Sequence, residues 1–550
     1  MIRLICSLSL LALLAATPLA QGTPTVQPGY TLYQPMGSTT TLLIDESGNT
    51  VHSWAGTGRP GNSVYLLEDG RLLRSVRHTP GGPPVEARIQ IVQWDGTLEW
   101  DYVHPDPAIR RHHDVEMLPN GNVLTIAWRD IPTADAVLHG RNPATLSGPV
   151  FAPDSILEVQ PTGPTTGVVV WEWNAIDHVI QDFDATKANF GVVEDHPELL
   201  DINFPLGVLN GGDWNHLNSV DYNAELDQIV VSSRTNSEIW IIDHSTTMAE
   251  SAGHTGGNAG KGGDLLYRYG NPQAYRAGTA TDRKFFAQHD AQWIPAGRPG
   301  AGNLLVFNNG PGRPEGQYST VEEFVLPLEP GGTYTLAAGS SYGPAAPTWL
   351  YQAPNPLDFF SQNISGCERQ PNGNTLIISG AQSWLFEVAP DDSIVWQFIN
   401  MEPFLGNPAV FKARRYPECI TVATKATEVV RLGTPPNPDV LRPGMTGPPI
   451  LGTTWRPWVD HTSFFPTALV DVLILDLHAP VNVPTALGTL LCNVPSPAQT
   501  FVQFPIGTPF AITLPYDCAF AGVPVCTQGA SLGGGVIQVT NAIDVVVGTY

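Results

Sequence analysis

Positive charge is scarce in this chain: 27 lysines and arginines stand against 51 aspartates and glutamates, a formal net charge of -24 over 550 residues. That balance argues against a nucleic-acid or anionic-membrane partner, so an anionic substrate would have to be met by a local cluster of cations. Long apolar runs are lacking too. The run from Leu4 to Ala16, behind Arg3, falls short of the ~20 residues of a membrane span, and no other stretch reaches that length. With the segment up to Ala20 it reads as a secretory signal over residues 1–20. The mature protein is therefore expected to be exported, periplasmic or extracellular, with no membrane span. Neither CxxC nor HExxH occurs, which removes two common zinc signatures. Cysteine is sparse as well. Once Cys6 leaves with the signal, Cys367, Cys419, Cys492, Cys518 and Cys526 remain, an odd set in which at least one thiol has no partner in the chain. Export favours pairing, and the closeness of Cys492, Cys518 and Cys526 points to one bond within the C-terminal part.

What is plentiful is glycine and proline, 54 and 51 residues, with charged residues at only 14%. Many short strands and turns follow from this composition, with few long helices. Two kinds of segment alternate. One ends a turn and opens a strand, as in Glu68-Asp69-Gly70, Pro119-Asn120-Gly121-Asn122, Gly302-Asn303 and Pro371-Asn372-Gly373-Asn374, where Asn-Gly and Asp-Gly supply the positive backbone angles of tight hairpins. The other is a strand, turn and strand ending in tryptophan, at Trp54, Trp100, Trp171 and Trp396. A module of four short strands that recurs in this way predicts an all-β, six-bladed β-propeller over residues 21–432. Inner strands are expected to start near Ser63, His113, His216, His289 and Ser365, and the sixth blade to close by pairing Thr40–Trp54 with Ile420–Leu432. The Pro/Gly-rich stretch 433–455 reads as a linker. Residues 456–550, with alternating apolar strands and no clustered ionisable groups, read as a small C-terminal β-sandwich with an accessory or sorting role.

Chemistry concentrates at one repeat position. His113 lies six residues before Pro119, His289 lies six before Pro295, His216 sits in a matching segment, and Ser365 occupies the same register before Pro371. First strands of propeller blades line the central channel, so His113, His216 and His289 are expected to converge, while His112 should point away because strand neighbours face opposite sides. Arg234, among small polar residues of the strand after His216, offers a planar guanidinium suited to a tetrahedral oxyanion. Three imidazoles also bind metals, but an arginine beside them would repel a cation. The tryptophans and the Asn-Gly turns read as structural. Arg268 reads as a packing residue, and His52, His178, His244 and His254 as surface or structural residues outside any constellation.

Asp213-Trp214-Asn215-His216-Leu217-Asn218-Ser219, Ser233-Arg234-Thr235-Asn236-Ser237-Glu238, Gly263-Asp264-Leu265-Leu266-Tyr267-Arg268-Tyr269-Gly270-Asn271-Pro272 and Gln288-His289-Asp290-Ala291-Gln292 together resemble the bacterial arylsulfate sulfotransferases over roughly residues 30–430. The resemblance implies an exported six-bladed propeller that passes a sulfuryl group from a phenolic sulfate ester donor to a phenol acceptor without the nucleotide PAPS, with no cofactor and no metal. It implies His289 as the transiently sulfated nucleophile. His216 and Arg234 would bind the sulfuryl group or assist proton transfer, His113 would complete the site, and Asn218 would contribute a supporting hydrogen bond to substrate. The chain departs from the family pattern in having no separate N-terminal β-domain before the propeller and in carrying the C-terminal domain. Acceptor range and the choice between monomer and homodimer therefore stay open. Two other readings also stay open: a secreted metal-dependent propeller enzyme of lyase type, and a non-catalytic propeller that binds a ligand or partner.

Overall fold

The turns set the architecture. In the computed structural model, Leu67, Leu118 and Gln370 each accept the amide of a glycine three residues on, Gly70, Gly121 and Gly373. Those glycines adopt φ of +83°, +85° and +94°, the left-handed conformation that closes a short hairpin loop. The structure describes residues 24–77, 86–205, 209, 212–337, 339–403, 406–445, 447–493, 497–515 and 517–550. The signal segment expected at 1–20 lies outside the described residues.

Hairpins opened by such turns assemble into six four-stranded antiparallel sheets. Their innermost strands are Pro60–Leu66, Ile109–Met117, Leu217–Asn223, His289–Trp293, Gly366–Arg369 and Val410–Tyr416. Each touches the next, and Val410–Tyr416 returns to Pro60–Leu66, so the strands form a closed ring, the arrangement of a β-propeller. Closure is made by Val410–Tyr416 pairing with Tyr30–Pro35, not by Ile420–Leu432 as expected from the sequence. The reason is electrostatic. Lys412, Arg414 and Arg415 make this strand look exposed in sequence, yet Asp114, Asp290 and Glu387 pair with them inside the ring. Within the expected closing segment, Thr427–Arg431 instead pairs with Val536–Val546 as the edge of a five-stranded sheet.

The repeated tryptophans join neighbouring sheets. Trp100 Nε1 donates to Thr166 O at 3.0 Å, Trp171 Nε1 to Thr246 Oγ1 at 3.0 Å, and Trp396 Nε1 to Glu46 O at 2.7 Å, each acceptor belonging to the next sheet or the turn beside it. Indoles that cover apolar surface and also find a hydrogen-bond acceptor, Trp100 and Trp171 buried and Trp396 half-buried, combine apolar contact with a fixed orientation, which suits a seam between repeated units.

The five-stranded C-terminal sheet shares a core of Leu473, Ile543 and Val545 with Leu441, Trp455, Val459 and Ile512 of short strand pairs. Cys492 and Cys526 are bonded within this region, and a second disulfide, Cys419–Cys518, ties it to the end of the propeller. Cys367 is free and buried in the propeller.

Candidate active site

His112 and His113 lie in a strand that should separate them, yet they touch. The register slips between Arg111 and Val115, and His113 adopts φ +60°. This bulge breaks the alternation, so His112 Nδ1 lies 2.8 Å from His113 Nδ1. The same device recurs: His216, φ +50°, precedes a slip between Leu217 and Val220, and Asp290, φ +55°, follows His289 within another. Left-handed backbone at histidine is strained and persists only where its surroundings hold it. The His113 and His216 rings stand 4.7 Å apart, and the rings of His113 and His289 flank Phe411 at 5.8 and 6.2 Å. The three histidines thus collect around one end of the ring. His112, expected to face away, belongs to the cluster, 6.5 Å from His216.

Hydrogen bonds define what each ring can do. His289 Nδ1 is 2.7 Å from Asn309 Oδ1 and 3.1 Å from Ala287 O. Asn309 is held in this orientation because its Nδ2 donates to Ser361 O and Ile364 O. Both neighbours of Nδ1 are acceptors, so Nδ1 carries the proton and Nε2 a lone pair. Burial, together with the nearby positive charge of Arg234, pushes the His289 pKa down to about 3. The ring is neutral and nucleophilic throughout the physiological range.

His216 Nδ1 lies 2.5 Å from Asp213 Oδ2, which orients the ring and leaves Nε2 to hold or release a proton. His112 Nε2 is 2.8 Å from Asp154 Oδ1, and both groups are fully buried. Burial, with His216, His112, His289 and Arg234 adding to it, keeps His113 well below the ordinary imidazole value. Desolvation likewise lowers Arg234, opposed by Asp213. Among the described residues no carboxylate forms an ion pair with the Arg234 guanidinium. Its neighbours Asn215 Nδ2 and Thr235 Oγ1 are buried without a protein partner. Arg268, in contrast, is consumed by Glu238 at 2.5 and 2.9 Å and by Leu199 O, and is structural.

Asn218 is fully buried and donates to Gln288 O at 2.8 Å, so it braces the backbone that carries His289. Ser365, at the fourth register position, accepts the Gly380 amide. The aspartates that follow His113 and His289 do not pair with them. Asp114 and Asp290 both grip Lys412 Nζ, at 2.6 and 2.8 Å, and Asp290 also binds Arg414 at 2.7 Å. Burial alone would raise Asp290, but Arg414 and Lys412 hold it below the usual carboxylate range. This buried pairing locks the two histidine-bearing strands to the closing strand. Replacing Lys412 by methionine leaves two buried carboxylates short of a cation, and a loss of about 3–5 kcal/mol is expected from urea unfolding.

Asp213, Asn309, Lys412 and Phe411 were not singled out by sequence reasoning. Asp213 could have been found three residues before His216; Asn309 and Lys412 carry no local signal.

The arylsulfotransferase family model matches residues 37–396, close to two thirds of the chain, and takes in His112, His113, His216, Arg234 and His289 but not Phe411, Lys412 and Arg414. The chain belongs to the arylsulfotransferase family. An arylsulfate sulfotransferase of Escherichia coli O6:H1 is 26% identical over 382 residues, covering 63% of this chain and 58% of the relative. One from Lelliottia amnigena is 28% identical with the same coverage. The chain thus matches less than two thirds of the length of these arylsulfotransferase relatives. Among solved structures, a Bacteroides caccae protein of unknown function aligns with a TM-score of 0.39 at 13% identity, over 70% of this chain and 98% of its own.

Proposed function

We propose that this arylsulfotransferase-family protein is an exported enzyme that transfers a sulfuryl group from a phenolic sulfate ester to a phenol through a sulfohistidine at His289. The observation that carries the reading is the state of His289: Nδ1–H committed to Asn309 and Ala287, Nε2 bearing a lone pair, in a site where burial and Arg234 keep it unprotonated. Nε2 attacks sulfur, an N–S bond forms, the S–O(aryl) bond breaks, and the phenolate leaves with the electron pair. His216 Nε2, backed by Asp213, gives the leaving oxygen its proton. In the second half-reaction the neutral imidazole of His216 takes the proton of the incoming phenol, its oxygen attacks sulfur, and His289 regains its lone pair. The unpaired guanidinium of Arg234 stabilises charge on the sulfuryl oxygens, with His113 completing the pocket. Asn218 acts through the Gln288 carbonyl as a positioning residue. The two disulfides favour an oxidising compartment and so support export.

The test is incubation of the protein with a chromogenic aryl sulfate, with and without phenol, followed by peptide mass spectrometry. A sulfuryl adduct on His289 that phenol discharges, with phenol-stimulated release of the chromophore, is the expected result. Turnover with no adduct on His289 would overturn the covalent mechanism, and absence of turnover would overturn the activity.

A further inference from the structure

On either side of His216 in the chain, a second set of side chains meets that the sequence leaves scattered. His178 follows the outer strand Thr166–Asn174, and His254 and Asp264 bound a glycine-rich segment before the strand Tyr267–Tyr269. One donor atom from each lies within 4.8 Å of the others, the one such trio of histidine, cysteine or carboxylate side chains among the described residues. His178, read from sequence as isolated, is fully buried and stacked on Trp173 with rings 5.6 Å apart. Its Nε2 is 2.8 Å from Ser251 O, and its Nδ1 is 2.9 Å from Asp264 Oδ1.

These two contacts conflict for a neutral imidazole. A backbone carbonyl only accepts, so Nε2 must carry the proton, and Nδ1 then turns a lone pair toward a carboxylate oxygen. His254 Nδ1 approaches the same Asp264 oxygen at 2.8 Å. Something positive must sit among the three atoms, either an extra proton or a metal ion. Three features favour a metal. Donation of the far ring N–H to a carbonyl is the usual support of a metal-bound histidine. Two imidazole nitrogens and one carboxylate oxygen are a common zinc donor set; donors held about 2.1 Å from zinc lie roughly 3.3 Å apart, and here the two nitrogens stand 2.8 and 2.9 Å from Asp264 Oδ1 with all three atoms within 4.8 Å. His254 is mostly exposed, with its side chain 60% accessible, so a fourth position is open to water. The backbone is shaped to suit: a Cβ on Gly263 would stand 2.6 Å from His178 Nε2 and 2.1 Å from Ser251 O, so only glycine leaves room for the buried ring.

We propose that His178 Nδ1, His254 Nδ1 and Asp264 Oδ1 form a zinc-class divalent metal site that pins the glycine-rich segment 252–264 against the neighbouring sheet. The site is structural and independent of the sulfuryl-transfer chemistry. Protein stripped with a chelator and dialysed is titrated with zinc sulfate, with bound metal counted by elemental analysis and unfolding followed by a thermal scan. One zinc per chain and a raised midpoint are expected for the natural sequence. In His254→Ala, an exposed position that leaves the buried ring in place, and in Asp264→Asn, the zinc and the shift are expected to be lost. The sulfuryl adduct on His289 is expected to form equally in His254→Ala and in the metal-free protein. No zinc uptake by the natural sequence would overturn the proposal and leave a protonated His178 paired with Asp264. Zinc retained by His254→Ala but lost by His216→Asn would overturn it as well, placing the metal among the channel histidines. Because metal is counted directly, failure here and failure of the transferase reading are distinguishable.

Discussion

Substitution of His289 by glutamine is expected to abolish the sulfuryl adduct and to lower aryl sulfate turnover by about 10⁴-fold or more. Loss of a covalent nucleophile typically removes most of the catalysis that depends on it. Glutamine can still reach Asn309 or the Ala287 carbonyl, so the pocket keeps its hydrogen bonding while the lone pair at Nε2 is gone. The same residue sets a pH signature. An imidazole of ordinary pKa would be only about 3% neutral at pH 5, costing roughly 30-fold in rate. With the His289 pKa pushed down to about 3, adduct formation in a single turnover with p-nitrophenyl sulfate, whose phenolate leaves without a proton, is expected to change less than about twofold between pH 7 and pH 5. A steep fall centred near pH 6.5 would show that the ring is solvated rather than buried beside Arg234.

Substitution of His216 by asparagine is expected to lower turnover by about 10²–10⁴-fold, the range of a lost general acid, and unevenly across donors. Asparagine tolerates the left-handed backbone at this position, φ +50°, so the bulge should survive. A nitrophenolate leaves without help, whereas the phenolate of an unactivated phenyl sulfate must be protonated as the S–O bond breaks. The loss should therefore be small for p-nitrophenyl sulfate and large for phenyl sulfate, read from kcat/KM for the two donors. Equal losses for both would make His216 a binding residue with no part in proton transfer.

Much of the fold is legible in the chain because it rests on local chemistry. Asp-Gly and Asn-Gly pairs close hairpins wherever they occur, and the tryptophans that end the outer strands mark the seams between sheets. The convergence of His113, His216 and His289 was readable for a related reason: a repeated register in a ring-shaped repeat fold places equivalent residues around one axis. Reading failed where distant charges decide the outcome. Val410–Tyr416 carries three cations and closes the ring only because carboxylates from other sheets meet them, as Asp114 and Asp290 meet Lys412. Strict alternation failed at His112 because a bulge, invisible in sequence, turns two neighbouring rings to the same site.

By itself, then, the sequence determined the all-β repeat, the turn positions, the histidine register and the family, since each depends on residues close in the chain or on motifs kept intact. Tertiary structure alone decided which imidazole nitrogen bears a proton, that a carboxylate holds Arg268 while none among the described residues pairs with Arg234, which strand closes the ring, and that His178, His254 and Asp264 meet. Protonation and pairing are set by desolvation and by partners tens to hundreds of residues away, as Asn309 and Arg234 show for His289.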